Sequence, residues 1–342
     1  MNIYIKLIVA IGIAIVIAIL LKRFFKKKVS KLFIVGNGFD LYHGIPSSYL
    51  RFRDYLKQNN ADVYETLEKY LHLEGDDDWN QLESNIANLD AEELLDEMHI
   101  FLGDPGGDWK DSMYYEFQYE VGKVTDALGQ KMQEIFLQWI LQLDVAHHSN
   151  SSKLSLPQDQ PYLNFNYTNS LEKIYRIPER NILYIHGKAV DSSSSIVLGH
   201  GWEDYEKATA PQEVSYEDFV DGGYASEEDW QYTEAKEDIK SYFKNSYKNA
   251  SEIIKQNNKF FKRLKEIKEI YGMGHSMSSV DWKYFEAISQ NINLKKVKWT
   301  MSYYRNEDIE NSKKTLLKIG VPLTLVDFRK LEGFFSIQMK LF

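Results

Sequence analysis

The sequence predicts an α/β protein with a Rossmann-like, mainly parallel sheet, large helical insertions and a single N-terminal transmembrane helix. Three observations predict this class. An apolar run at residues 32–35 ends in Gly-Asn-Gly, as the first strand of a doubly wound sheet does. Strand-like runs alternate with helical patterns between residues 270 and 326. An uncharged apolar run fills residues 7–21.

The N-terminal run predicts a membrane anchor. It is fifteen residues long, and counting back to Ile3 across Lys6 gives nineteen, enough to cross hydrocarbon as a helix. The basic cluster KRFFKKK follows and places the rest of the chain in the cytoplasm. We therefore expect an anchor at 3–21, a basic juxtamembrane link at 22–30, and a single-pass protein of the cell membrane with a cytoplasmic body. A cleaved signal peptide, a start assigned too early and a buried helix are the alternatives.

The body, residues 31–342, follows the α/β pattern with two helical interruptions. After the first strand, Ser47 or Ser48 is suited to cap a helix. Helical patterns at 61–71, 79–89, 91–101 and 113–143 form an insertion at about 61–147, and the charged stretch 227–268 belongs to another at about 205–268. Further strands are predicted at 162–166, 182–185, 196–198, 270–273, 297–303 and 323–326, with helices at 280–290 and 308–319. Alternating strands and helices indicate parallel crossovers.

The composition excludes several kinds of site. The 342 residues include no cysteine, which excludes disulfides, thiolate metal sites and cysteine nucleophiles. The net charge is −9, but the first 39 residues hold seven bases and no acid, which leaves 34 bases against 50 acids and a charge of −16 elsewhere. Such a body repels phosphate backbones, so we expect no nucleic-acid partner. We also expect no metal, because HExxH-type spacing is missing among the candidate ligands His43, His186, His200 and His275.

The motif GNGFD follows the first strand, where a doubly wound sheet binds phosphate with backbone N–H groups. Gly36 and Gly38 would let the backbone approach a pyrophosphate, although a plain turn also explains them. We include Asn37, between them, in this candidate binding loop. Asp40 is suited either to bond a ribose or to cap the turn.

The motif NFNYT ends the strand at 162–166 and carries a pair of amides. Asn164 and Asn166 alternate onto one face of the strand, so both could point toward one crevice. An uncharged amide that donates and accepts is suited to orient an amide or a ribose hydroxyl. Thr168 joins the candidate binding residues, while helix capping by Thr168 or Asn169 is the structural alternative.

Three further motifs place polar residues and glycines after apolar runs. His186 ends the strand in ILYIHGK, where a neutral imidazole could accept a proton near pH 7; a structural histidine is the alternative. Gly199 lies in the motif GHG and joins the candidate binding residues. Gly274 and Ser276 lie in YGMGHSMSSVDW, which repeats the strand, glycine turn and helix of a phosphate or ribose loop.

These motifs in this order resemble the AbiH family of bacterial phage abortive infection proteins. The resemblance rests on GNGFDLYHGIPSSY, FNYT followed by LE, IHG, GHG and SMSSVDWKYF, and it covers about residues 31–328. It implies an antiphage role in which a phage-derived trigger acts on the protein. A membrane span departs from what the family implies.

A more distant resemblance is to sirtuins and to sirtuin-like NAD-hydrolysing defence proteins. It implies that the first glycine motif and the loop of Gly274 and Ser276 bind NAD, that Asn166 orients NAD and water, and that His186 acts as a base on the ribose. Thr168 replaces an aspartate of that pattern, and Ser47 and Ser48 replace Asp-Phe. The zinc module of true sirtuins needs cysteine, which this chain lacks.

Three functions follow from these expectations. The first is abortive infection by binding NAD and cleaving its nicotinamide–ribose bond, with Asn166 and His186 as the catalytic residues. The second is a nucleotide-sensing module that turns nothing over and acts through the membrane or protein partners. The third is a nuclease or phosphotransferase using Asp40, His186 and His275. Whether the protein is an enzyme, and whether it forms a homo-oligomer, stays open at this point.

Overall fold

The computed structural model describes residues 29–102, 115–146, 154–203 and 227–334. Six strands form one sheet in which all neighbouring strands are parallel. The strands are β1 (Lys31–Val35), β2 (Tyr162–Asn164), β3 (Ile182–Tyr184), β4 (Glu269–Met273), β5 (Lys298–Ser302) and β6 (Val326–Arg329). This confirms the predicted α/β class and its parallel sheet.

The predicted fold class also contained a membrane-spanning helix, and this part is corrected. The predicted anchor at 3–21 lies outside the described residues. Within the part of the chain that is described, no helix combines the length and the apolar character that a membrane crossing requires. The described residues therefore do not support the predicted transmembrane helix or the single-pass membrane location that was expected from it. The supported fold class is a mixed α/β protein with a six-stranded parallel sheet.

The strand order is β3-β2-β1-β4-β5-β6, so the order reverses between β1 and β4. In open α/β sheets, ligands bind beyond the carboxyl ends of the strands at such a reversal. Val35 at the end of β1 lies opposite Asn164 on one side and Met273 on the other. The three central strands therefore end at the same level, and the residues that follow them share one edge, the carboxyl edge.

Fourteen α-helices within the described residues surround the sheet or form the helical regions. Those that precede β2 are α1 (Asn37–Tyr42), α2 (Tyr49–Asn59), α3 (Ala61–Tyr70), α4 (Asp76–Asn80), α5 (Leu82–Asn85), α6 (Ala91–Met98), α7 (Glu116–Asp126) and α8 (Met132–Gln142). The later ones are α9 (Ser170–Tyr175), α10 (Glu227–Asn245), α11 (Ala250–Gln256), α12 (Asn258–Lys262), α13 (Trp282–Gln290) and α14 (Asn306–Lys318).

Two predicted strands differ from the structure. Residues 196–198 join no strand of the sheet, and Val197 instead donates its N–H to the His186 carbonyl at 2.8 Å. The last strand is Val326–Arg329, preceded by a 3₁₀ turn at Leu323–Leu325, rather than 323–326. The predicted helix at 113–143 is described from Glu116 to Gln142 and contains a π-helical segment at Ala127–Lys131.

The sheet has two buried faces, named here for the helix that covers each. The α13 face packs Ile34, Leu163 and Phe165 against α13. The α9 face packs Val35 and Tyr162, among others, against α9. A third apolar cluster fills the helical regions. Because β2 alternates between the faces, consecutive residues at its carboxyl end reach opposite sides of the sheet.

Candidate functional site

The glycine loops that follow β1 and β4 pack directly on each other. A Cβ added to Gly36 would lie 2.7 Å from the Gly274 carbonyl oxygen, and one added to Gly38 would lie 2.9 Å from the Gly274 Cα. Gly274 has φ +64°, and its Cβ would lie 2.1 Å from the Phe39 nitrogen. The three glycines therefore permit a backbone contact across the β1–β4 reversal.

Three backbone N–H groups of the first loop already have hydrogen-bond partners. Gly36 donates to the Met273 carbonyl at 3.0 Å, Gly38 to the Gly274 carbonyl at 2.8 Å, and Phe39 to the Gly36 carbonyl at 2.9 Å. A loop that holds a pyrophosphate presents such groups to the ligand instead. Asn37 is exposed, and its Oδ1 accepts from the Ser47 hydroxyl at 2.5 Å. The geometry explains the glycines by loop packing and does not present these three N–H groups to a phosphate.

The α9 side of the carboxyl edge holds a buried group that we call the Asp40 cluster: Asp40, Asn164, Asn166, Thr168 and Ser170. Asp40 is fully buried and accepts hydrogen bonds from the hydroxyls of Thr168 at 2.5 Å and Ser170 at 2.6 Å. These bonds fasten α1 to the segment after β2. Burial raises the pKa of Asp40 to about 6, against hydrogen bonds that lower it.

We expect Asp40 to make the protein less stable as the pH rises. Its carboxyl has an ordinary pKa of 3.8 in the unfolded chain and about 6 in the folded protein, so between these values the folded state binds the extra proton. The shift corresponds to about 3 kcal/mol, which Asp40 should remove from the free energy of unfolding between about pH 4 and pH 7. Urea unfolding across this pH range should show that the free energy of unfolding falls less for Asp40→Asn than for the wild-type protein. The exposed variant Asp54→Asn should keep the wild-type dependence, and equal slopes for all three proteins would contradict the prediction.

The two asparagines predicted as a pair do lie together, but their amides are used differently. Asn164 Oδ1 accepts from the Asn166 backbone N–H at 3.1 Å, and Asn166 Nδ2 donates to the Gly36 carbonyl at 3.1 Å. Asn164 Nδ2 is buried without a hydrogen-bond partner within the described chain. Asn166 therefore ties β2 to the first glycine loop, and Asn164 holds the free donor.

His186 lies on the other side of the sheet edge, in a group that we call the Asp281 cluster: Glu83, His186, Lys248, His275 and Asp281. Its ring packs at 5.3 Å from Phe165 and 5.6 Å from Tyr284, on the α13 face. His186 Nε2 lies 3.4 Å from Asp281 Oδ1, and His275 Nε2 lies 3.6 Å from Asp281 Oδ2. The structure therefore separates Asn164 and Asn166 from His186 by a sheet face, although the sequence predicts one shared crevice.

The Asp281 cluster is completed by residues of the helical regions. Lys248 follows α10, is 1% exposed, and places Nζ 2.6 Å from Glu83 Oε2 and 3.6 Å from Asp281 Oδ1. Burial alone would raise the pKa of Asp281, but the nearby Lys248 ammonium lowers it below its ordinary value. Burial lowers the pKa of His275 to about 4, and its Nδ1 accepts from the Met277 N–H at 2.9 Å. His275 is therefore a neutral imidazole that carries its proton on Nε2.

Three buried polar atoms of this region have no hydrogen-bond partner among the described residues: His186 Nε2, Asp281 Oδ1 and the Tyr284 hydroxyl. The first two lie close to each other without hydrogen-bond alignment. Unsatisfied buried polar atoms are rare and call for a cause, such as a ligand or a catalytic role. A cluster of titratable groups with shifted pKa values also indicates a functional site.

Gly199 and Gly201 allow close contact with the chain beside Lys248 and Asp281. A Cβ on Gly199 would lie 1.9 Å from the Ser246 carbonyl oxygen, and one on Gly201 would lie 3.0 Å from the Val280 Cα. His200 between them is fully buried, and its Nε2 lies 3.0 Å from the Phe243 carbonyl oxygen. We call residues 199–201 the GHG clasp, because they contact Ser246, two residues before Lys248, and Val280, directly before Asp281.

The remaining predicted residue, Ser276, is exposed at the surface of its loop and lies outside both clusters. Glu83, Lys248 and Asp281 were not singled out from the sequence. Asp281 lies in the same motif as Gly274, YGMGHSMSSVDW. An aspartate just before the helix of a strand-glycine-helix motif is a signal that points to it. Glu83 and Lys248 lie in or beside charged helical segments, where no local pattern distinguishes them. Among the described residues, no three His, Asp or Glu side chains are grouped to hold a metal ion.

Comparison with known proteins agrees with the order of the motifs. The family model described as "Bacteriophage abortive infection AbiH" matches residues 32–303, which span β1 to the end of β5 and contain every residue of both clusters. No curated protein matches the chain. The similarity to sirtuins is not shown by these comparisons.

Proposed function

This chain belongs to the AbiH family, which implies a role in abortive infection against bacteriophage, and on that premise we propose that it acts by cleaving a nucleotide. Our candidate substrate is NAD, and the bond cleaved is the nicotinamide–ribose bond. The proposed centre is the Asp281 cluster, with His186 as the base. A phage-derived trigger starts the reaction, which drains NAD from the infected cell.

The observation that carries the proposal is the His186–Asp281 pair. His186 Nε2 and Asp281 Oδ1 lie 3.4 Å apart, are buried, and lack hydrogen-bond partners among the described residues. An imidazole beside an ionised carboxylate can accept a proton, and the carboxylate stabilises the imidazolium that results. The pair lies at the carboxyl edge of a sheet whose strand order is that of dinucleotide-binding proteins.

The charge of the cluster suits loss of nicotinamide. In the hydrolysis, a water oxygen bonds to the ribose C1, nicotinamide leaves with the electron pair of the broken C–N bond, and a proton of the water passes to His186. Positive charge develops on the sugar ring as that bond breaks, as in glycoside hydrolysis. Two carboxylates, Glu83 and Asp281, face one ammonium, Lys248, so these three charged groups together carry one surplus negative charge. A preorganised negative charge in a buried site stabilises such a transition state.

Only some of the polar groups near the candidate site are free to contact NAD. The N–H groups of Gly36, Gly38 and Phe39 already bond to carbonyls, so we assign no phosphate contact to them. Asn166 Nδ2 is likewise engaged, whereas Asn164 Nδ2 is free to donate. The proposed reaction therefore rests on His186 and Asp281.

A nucleotide-sensing module without catalysis is the second candidate function. His186 is 2% exposed and Asp281 7% exposed, so a substrate reaches them only if the surrounding chain opens. A module that binds a nucleotide and acts through protein partners would bind NAD in calorimetry without forming product.

Nucleotide profiling of infected cells tests the proposed function. We expect cells that express the chain to lose NAD and gain nicotinamide during infection, and Asp281→Asn to slow this release by about tenfold or more, because the carboxylate no longer stabilises an imidazolium. Asp76→Asn removes an exposed carboxylate paired with Arg53 and serves as the control. Protection without any change in NAD, together with NAD binding to the purified protein, would favour the sensing module instead.

A further inference from the structure

We propose that Lys248 and Glu83 are positioning residues for the His186–Asp281 pair, so that the two helical regions each contribute to the site. Lys248 keeps Asp281 ionised, and Glu83 keeps Lys248 in place. This inference rests on the proposed function, because it assigns a purpose to that same site.

Lys248 lies where a lysine is costly. Its side chain is completely buried, and lysine is almost never fully buried unless it is paired. Its Nζ is hydrogen-bonded to Glu83 at 2.6 Å but lies 3.6 Å from Asp281, beyond a normal hydrogen bond. The lysine therefore acts on Asp281 through its charge, and Asp281 Oδ1 stays open toward His186.

The main chain fixes this distance. His200 donates its N–H to the Ser246 carbonyl at 2.9 Å, and Lys248 donates its N–H to the His200 carbonyl at 2.8 Å. The same GHG clasp packs Gly201 against Val280, the residue before Asp281. One short segment therefore sets both ends of the contact between Lys248 and Asp281.

Glu83 is held by a second donor. The Tyr49 hydroxyl donates to Glu83 Oε1 at 2.5 Å, and burial together with the Glu83 charge raises the pKa of Tyr49, which keeps the phenol protonated as a donor. The Tyr167 hydroxyl lies 3.4 Å from the same oxygen but donates to the Val197 carbonyl at 2.8 Å. Glu83 Oε2 is thus directed at Lys248, and α2 and α5 both support the site.

Several titratable groups face Asp281. They come from seven segments of the chain. These groups are Tyr49 of α2, Glu83 of α5, Tyr167 after β2, His186 after β3, Lys248 after α10, His275 after β4 and Tyr284 of α13. Lys248 is the permanent cation among them. Without it, burial dominates and Asp281 should take up a proton at neutral pH.

The test uses the full chain with the pair neutralised as Glu83→Gln/Lys248→Met. The double change avoids leaving Glu83 as a buried carboxylate without its cation, which would be strongly destabilising. We expect the acidic limb of the pH–rate profile for nicotinamide release to move up by about one pH unit or more, with activity recovering at higher pH. The single variant Lys248→Arg keeps the positive charge and should retain the wild-type pH–rate profile. The exposed pair variant Glu237→Gln/Lys240→Met is the control and should change nothing.

A second measurement does not need activity. Infrared spectroscopy with isotope-labelled aspartate should detect a protonated buried carboxyl at neutral pH in the double variant, and this band should vanish when Asp281→Asn is added. An unmoved pH profile, or an ionised Asp281 in the folded double variant, would overturn the inference. If even the wild-type chain releases no nicotinamide, the proposed function fails, while the infrared result still decides whether Lys248 controls Asp281.

Discussion

Gly274→Ala should prevent stable folding, with a loss in the free energy of unfolding of more than about 4 kcal/mol. The new Cβ would lie 2.1 Å from the Phe39 nitrogen and 2.3 Å from the Gly38 carbonyl carbon. Both are backbone atoms, so relief requires the β1 and β4 loops to separate. That separation breaks the hydrogen bond from the Gly38 N–H to the Gly274 carbonyl. Urea unfolding followed by circular dichroism measures the loss.

The matched control is Gly320→Ala. Gly320 also has a positive φ, +82°, but its Cβ would meet only Leu294 Cδ1 at 3.6 Å, which is ordinary contact. This variant carries the cost of a left-handed backbone alone, about 1–2 kcal/mol. If Gly274→Ala lowers the free energy of unfolding no more than Gly320→Ala does, the two loops do not pack as closely as described.

His186→Ala should reduce nicotinamide release by about 10²–10⁴-fold, the contribution expected of a positioned general base. The loss should be in kcat, because His186 acts on the proton that moves in the transition state. Purified full-length proteins, activated as in infected cells, should be compared by quantifying nicotinamide over time. Plaque formation should rise in parallel in cells that carry the variant.

Two histidine variants separate chemistry from packing. His72→Ala removes an imidazole that is 52% exposed and lies 3.7 Å from Glu93, and it should leave release unchanged. His200→Ala removes a buried imidazole of the GHG clasp, and it should lower stability as well as release. A His186→Ala protein that folds and still protects cells from phage would exclude His186 as the base.

The parallel sheet could be predicted because its signals are local. The first strand is a short apolar run that begins with a lysine and ends before a glycine, and glycines mark the turns after β1 and β4. The segment at 196–198 has the same local signal and was predicted as a strand. It lies instead across the loop after β3, because a backbone bond to His186 and the GHG clasp decide its place.

The glycines show how a correct position can carry another purpose. The sequence predicts that Gly36, Gly38 and Gly274 permit a close approach, and each does have backbone atoms in its Cβ direction. What approaches them is the neighbouring loop. A sequence pattern records that a side chain is not tolerated, but it does not identify the atom that excludes it.

The sequence by itself determined where the strands of the sheet lie along the chain and that His186 follows a strand. It also determined the ordered motifs of the AbiH family. Only the tertiary structure decided that Asn166 and His186 lie on different faces, and that Asp281 lies between His186 and the Lys248–Glu83 pair. Glu83 and Lys248 are 165 positions apart in the chain. Their meeting depends on how the helical regions pack on the sheet, and no short-range periodicity encodes an ion pair over that separation.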